Sequence, residues 1–126
     1  MDTLSKIGLC ELALGALLGW VVTLRIERPQ LLARAGVASP RRILQAHLDY
    51  IMMGLILVAV GLALPGLQTW IAVPLVFGTL VNPTLFLPLA FDEGWKDRVP
   101  YKAVTLVSFV AMSGSLVAAA IEGLSR

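Results

Sequence analysis

The feature that most constrains this chain is a run of 42 residues, Tyr50–Phe91, that contains no Asp, Glu, Lys, Arg or His. As a single α-helix this run would be about 63 Å long, roughly twice the hydrocarbon thickness of a bilayer. It must therefore turn, and Leu64-Pro65-Gly66-Leu67-Gln68-Thr69 is its only good turn sequence. The run predicts two consecutive membrane-spanning helices, one that ends near Leu64 and one over residues 69–91.

A third apolar segment lies near the amino terminus, over residues 7–24, with Glu11 as its only charged residue. Eighteen residues of helix cover about 27 Å, close to the lower limit for crossing a bilayer. The alternative is a signal peptide, but the start Met-Asp-Thr-Leu-Ser-Lys is a poor positively charged leader. We therefore expect a retained first span.

The remaining spans have recognisable helix starts. The second span, placed at residues 43–64, can begin earlier because Ser39-Pro40 is typical of an N-cap followed by proline at the first helical position. The fourth span covers residues 101–121 and is opened by Pro100. Only Lys102 is charged there, at the end of the span, where its stem can reach the interface.

Composition agrees with an integral membrane protein. Hydrophobic residues make up 58% of the chain and charged residues 14%, against roughly 45–50% and about 25% in soluble domains. The continuous apolar runs exclude the alternating pattern of a β-barrel. We predict one all-α domain over residues 1–126, an up-down bundle of four transmembrane helices.

Charge and cysteine content exclude several function classes. The net charge of +2 is too small to indicate nucleic-acid binding. The single cysteine, Cys10, permits neither an intrachain disulfide nor a zinc site built on cysteines. No phosphate-binding loop and no Ser-His-Asp set can be argued from the sequence.

Basic residues beside the spans predict the orientation in the membrane. Eight lie in the segments after the first and third spans and two on the opposite side. Loops 25–42 and 92–100 are therefore expected to be cytoplasmic and both termini extracytoplasmic, in a bacterial inner membrane. The eight are Arg25, Arg28, Arg34, Arg41, Arg42, Lys96, Arg98 and Lys102; the two are Lys6 and Arg126.

His47, the sole histidine, is the first candidate site residue. On a helix it shares a face with Tyr50, Ile51 and Gly54. A neutral imidazole there can offer a nitrogen to a flat metal macrocycle, with Gly54 leaving room for the ring. One histidine cannot hold a bare zinc ion but suffices as the single axial ligand of haem. The alternative is an interfacial histidine that is hydrogen-bonded to a lipid head group or to a neighbouring helix.

Two carboxylates also lie in the spans, where ionisable groups are costly. Asp49 can pair with Arg41 or Arg42 or with a basic residue of the second cytoplasmic loop, or it can be a carboxylate favoured by the helix start. Glu11 can reach the surface or hydrogen-bond to Ser113 or Ser115 of the fourth span.

Asn82 is the most deeply placed polar side chain. The third span is interrupted by Pro74, Pro83 and Pro88, and such a span usually faces protein or a cavity. Asn82 either binds a neighbouring helix or lines a pocket.

Small residues predict tight helix contacts, beginning with the Gly15 and Gly19 pair in GxxxG spacing. Gly54 and Gly61 lie a heptad apart in the second span. Four short spans enclose little interior, so we expect a homo-oligomer with room for a cofactor between protomers.

The stretch Gln45-Ala46-His47, with Gly54 seven residues later and Leu64-Pro65 closing the helix, resembles styrene oxide isomerase. The resemblance implies a small four-helix membrane protein that assembles as a trimer and holds haem b between subunits. His47 would be the axial ligand, with Gly54 beside the ring, and ferric iron would act as the Lewis acid that isomerises an epoxide to an aldehyde.

The resemblance also suggests which polar groups would meet an epoxide oxygen. Asn82, which follows Gly78, is similar to the asparagine of the family's third span. Met53 and Phe86 stand where the family has an asparagine and a tyrosine. Tyr50 is the candidate that would supply a hydroxyl instead.

Three functions follow from these observations. The leading hypothesis is a membrane haem b protein that isomerises a small apolar epoxide. The alternatives are a non-catalytic accessory or assembly subunit of a membrane complex, and a small transporter.

Overall fold

The computed structural model describes all residues from 1 to 126. It is all-α, and four helical segments are long and apolar enough to cross a membrane, which confirms the predicted class. A 3-10 turn over Glu93–Asp97 precedes the last helix. The α-helices are α1 Thr3–Glu27, α2 Pro29–Arg34, α3 Pro40–Ala63, α4 Thr69–Thr84, α5 Phe86–Phe91 and α6 Val99–Ser125.

The helix starts follow local rules, with one exception. Asp2 caps α1 by accepting a hydrogen bond from the Ser5 backbone N–H at 3.1 Å. Pro40 occupies the first position of α3, as predicted. Ser39 stands at the N-cap position of α3, but its side chain accepts no capping hydrogen bond; its hydroxyl donates to the Glu93 carboxylate at 2.7 Å.

The connections between the spans differ in structure. The predicted turn joins α3 to α4, and Gly66 adopts a positive φ of 72° there. The segment between α1 and α3 is not a plain loop, because α2 forms within it. Backbone N–H groups of Ala38 and Ser39 then donate to the carbonyl of Ala90, which fixes this segment against α5.

The third span is broken into α4 and α5 at Leu85. Pro83 and Pro88 flank this position, and proline removes a backbone donor. The Tyr101 hydroxyl of α6 donates to the Leu85 carbonyl at 2.6 Å. Leu85 keeps right-handed helical backbone angles, with φ −64° and ψ −21°. The span therefore stays helical across the interruption, and α6 satisfies the Leu85 carbonyl.

The spans pack in the order α1, α3, α4 with α5, then α6. Helix α1 lies along α3, helix α6 lies along α4, and α3 joins the two pairs. Helices α1 and α6 occupy opposite edges and share no substantial contact. This open order leaves a groove between α3 and α6, floored by α4 and α5.

Candidate functional sites

His47 lies in the contact between α3 and α1. Its Nδ1 is 2.5 Å from the carbonyl oxygen of Gly15. A Cβ added at Gly19 would lie 3.1 Å from the His47 Cε1, so the absence of a side chain at Gly19 admits the ring. The predicted GxxxG pair of α1 therefore packs on the imidazole, which is partly buried.

This hydrogen bond fixes the imidazole tautomer. A carbonyl oxygen only accepts hydrogen bonds, so Nδ1 of His47 must carry the proton that is shared with Gly15. In the neutral ring, Nε2 is then left with a free lone pair. Metal-binding histidines commonly use the same arrangement, in which one ring N–H is held by a carbonyl while the other nitrogen binds the metal.

Of the three residues predicted to share a face, His47 and Gly54 contact α1, whereas the Tyr50 hydroxyl reaches Thr84 of α4. A Cβ added at Gly54 would lie 2.9 Å from the Gly8 carbonyl oxygen, so the space expected beside this glycine for a macrocycle is filled by α1. Tyr50 is 4% exposed, and its hydroxyl is 2.5 Å from that of Thr84. Both residues therefore make contacts within the chain.

Asn82 joins α4 to α6. Its Oδ1 accepts a hydrogen bond from the Ser108 hydroxyl at 2.5 Å, and its Nδ2 donates to the Met112 sulfur at 3.3 Å. Asn82 also lines the groove between α3 and α6, so both uses considered for this residue occur. The structure does not bring Asn82 together with His47, which bonds to α1 at the other side of α3.

The groove between α3 and α6 has a volume of about 530 Å³. Its walls are mostly apolar, with aromatic rings from α5 and α6. His47 lines none of the three main cavities of the chain. The lining residues of the groove are Asp49, Met53, Asn82, Leu85, Phe86, Tyr101, Thr105, Phe109, Met112, Ser113 and Leu116.

Asp49 faces this groove without forming a salt bridge. The pairing predicted with Arg42 is wrong, because that guanidinium binds both oxygens of Glu93, at 3.0 Å and 2.9 Å. No basic residue of the second loop replaces it, since Lys96 also lies near Glu93 and Arg98 near Asp92. Glu93 follows Arg42 by 51 residues, so only the fold reveals this competition.

Glu11 is buried in α1, with 2% exposure, and neither carboxyl oxygen has a hydrogen-bond partner. It therefore does not reach the surface. The bond considered with Ser113 or Ser115 is also absent, because α6 lies at the far edge from α1 and the Ser115 hydroxyl donates to the Met112 carbonyl. Glu11 is the one buried carboxyl group that the chain leaves unsatisfied.

A cluster of polar side chains holds the turn before α6 against the start of α3. Hydrogen bonds from Arg42 and Ser39 lower the pKa of Glu93 to about 2. Lys96 lies 3.9 Å away and lowers the pKa further. The carboxylate thus stays ionised at neutral pH and connects two elements that are distant in sequence.

Comparison with models of protein families, with curated proteins and with solved structures finds no match to this chain. No group of three or more His, Cys, Asp or Glu side chains in the chain could hold a metal ion.

Proposed function

We propose that this integral membrane protein binds haem b through Nε2 of His47. One observation carries the proposal: the Gly15 carbonyl holds Nδ1–H and thereby directs the lone pair of the chain's only histidine to Nε2. A single histidine is sufficient for axial ligation of haem iron. The resemblance to styrene oxide isomerase in the sequence around His47 independently points to the same ligand.

The proposed location is the outer side of the α1–α3 contact. His47 is only partly buried, whereas Gly54 on the same face is covered by α1. The haem would then lie against the exposed side of the ring and be enclosed by a second copy of the chain. A homo-oligomer, a trimer by resemblance, is part of this proposal.

The reaction proposed is isomerisation of a small apolar epoxide to a carbonyl compound. Haem in the ferric state would supply a Lewis acid to the epoxide oxygen. The chain itself would orient His47, exclude water through its apolar helices and admit the substrate from the bilayer. Tyr50 is hydrogen-bonded to Thr84, so a role for it as substrate donor requires that bond to be exchanged. Asn82 is bonded to Ser108 in the groove on the other side of α3, so we assign it no role at the haem.

The first test is an absorption spectrum of the full chain, expressed with excess haem and purified in detergent. We expect an intense Soret band that is lost in His47→Gly and restored when imidazole is added, because free imidazole can occupy the vacated position. Leu48→Ala is the matched control, since Leu48 is the next residue and is 51% exposed. A colourless wild-type protein, or a band indifferent to His47→Gly, contradicts haem ligation by His47.

The second test measures conversion of styrene oxide to phenylacetaldehyde by the haem-loaded protein. We expect activity in the wild type, none in His47→Gly, and a reduced rate in Tyr50→Phe if the Tyr50 hydroxyl contacts the substrate oxygen. A haem-loaded protein without isomerase activity on apolar epoxides would reject the reaction while leaving the haem site intact.

A further inference from the structure

The groove between α3 and α6 is a second feature that the haem proposal does not use. His47 belongs to the α1 side of α3, whereas Asp49 and Met53 project from the same helix into the groove. The groove has a volume of about 530 Å³, which falls within the usual range of roughly 300–1,000 Å³ for small-molecule sites.

One end of the groove presents hydrogen-bond acceptors. The Tyr101 hydroxyl already donates to the Leu85 carbonyl and the Thr105 hydroxyl to the Tyr101 carbonyl. Both hydroxyls therefore have only lone pairs left to offer. Asp49, which lines the same groove, forms no salt bridge within the chain. A ligand that fits this end must bring donors, and a positive charge would match the carboxylate best.

The remaining walls suit the body of such a ligand. Phe86, Tyr101 and Phe109 contribute aromatic rings, whose faces attract ammonium groups at short range. Met53 and Met112 add adaptable apolar surface. Asp49 lies about 13 Å along α3 from Pro40, within the span, where an unpaired carboxylate is costly and a cation would offset that cost.

We propose that this groove binds a small apolar amine in its ammonium form, with the charged nitrogen at Asp49 and the apolar body between α3 and α6. The ligand would enter sideways from the bilayer, because the groove opens between helices that are not packed on each other. This site is separate from His47, so it does not depend on haem binding.

The test uses the full chain in lipid nanodiscs and radiolabelled benzylamine at neutral pH, with empty nanodiscs subtracted. We expect saturable binding in the wild type. Affinity should fall at least tenfold in Asp49→Asn, equivalent to about 1.4 kcal/mol. Benzyl alcohol, which has the same ring without the charge, should compete weakly.

Two further variants separate this explanation from others. Asp97→Asn removes a carboxylate from the exposed turn and should leave binding unchanged, whereas a surface-charge effect would weaken it. Ser113→Trp fills the groove from its exposed rim and should abolish binding without disturbing the buried contacts. Absence of saturable binding in the wild type, or equal binding in Asp49→Asn or Ser113→Trp, would overturn the proposal. The Soret band, recorded on the same samples, reports separately on His47.

Discussion

Polar side chains within the spans differ in their hydrogen-bond partners. Those with an unpaired polar atom are the ones that remain available for function. Tyr50 is hydrogen-bonded to Thr84 of α4, and Asn82 is hydrogen-bonded to Ser108 of α6. Only one of the two ring nitrogens of His47, Nδ1, has a hydrogen-bond partner. Glu11 has none. In a lipid environment an unsatisfied buried polar group destabilises the fold, whether or not it has a function.

Replacing Glu11 should stabilise the bundle. Glu11→Met keeps the length of the side chain and removes the unpartnered carboxyl group, so the variant should be more stable by about 1–3 kcal/mol. Thermal unfolding in detergent, followed by circular dichroism, measures the change. Glu122→Met near the carboxyl terminus is the control, and it should give no gain because Glu122 is paired with Arg126 at 3.5 Å. A lower midpoint for Glu11→Met would mean that the carboxyl group has a stabilising partner.

Glu93 should make the stability of the folded chain depend on pH in the acid range. Its pKa is lowered from 4.5 to about 2 in the folded chain, first by the hydrogen bond from Arg42. A lowered pKa stabilises the folded state above the unfolded value, and that stabilisation is lost as pH falls from about 4.5 towards 2. The thermal midpoint of the wild type should therefore decrease over this range.

Glu93→Gln should flatten that part of the pH profile because the titrating group is removed. Asp97→Asn in the same turn provides the comparison and should keep the slope of the wild type. An unchanged slope in Glu93→Gln would show that other carboxyl groups determine acid stability.

At the scale of elements, α1 and α3 approach each other through glycines on both helices. A Cβ at Gly54 would lie 2.9 Å from the Gly8 carbonyl oxygen, and one at Gly15 would lie 3.1 Å from the Tyr50 Cβ. Close backbone approach replaces the hydrophobic effect as the source of helix association in lipid. The same approach brings the Gly15 carbonyl to His47, so the packing of this pair also sets the geometry of the proposed ligand.

Gly54→Ala tests this helix contact. The added methyl group meets backbone that cannot move independently, so we expect a loss of about 1–3 kcal/mol of stability and a weaker Soret band if His47 binds haem. Gly114→Ala is the matched control, because a Cβ there has no neighbour within 4 Å. Equal midpoints for the two variants would mean that α1 and α3 separate readily.

The elements themselves could be predicted from the sequence because membrane spans depend on local hydropathy and turn residues. The starts at Pro40 and Pro100 and the turn at Gly66 follow from residue type. The sequence did not indicate α2, nor where the third span would break, because proline permits a break without fixing its position. At Leu85 the carbonyl accepts a hydrogen bond from the Tyr101 hydroxyl of another helix, a contact that only the fold reveals.

At the scale of the whole molecule, the open packing order determines what the chain can do. With α1 and α6 at opposite edges, one side of α3 carries His47 and the other carries the groove. Sequence reasoning found His47 and Asn82 because each is a rare polar residue in an apolar span. The groove could not be predicted, because it depends on which helices are neighbours. The absence of an Asp49–Arg42 ion pair could not be predicted either, because it depends on the distant Glu93.

The same architecture makes the membrane orientation testable. The segments after α1 and α5, together with the helix ends beside them, carry eight basic residues and the terminal side carries two, which predicts cytoplasmic connections. Cys10 is the only cysteine, so Cys10→Ser gives a background without thiols. In it, Ser125→Cys and Asp97→Cys each place one exposed thiol at opposite ends of the spans. A membrane-impermeant maleimide applied to intact bacterial spheroplasts should label Ser125→Cys at once and Asp97→Cys only after permeabilisation. The reverse pattern would place the Arg42–Glu93 cluster outside the cell, and equal labelling of both would mean that the chain inserts in two orientations.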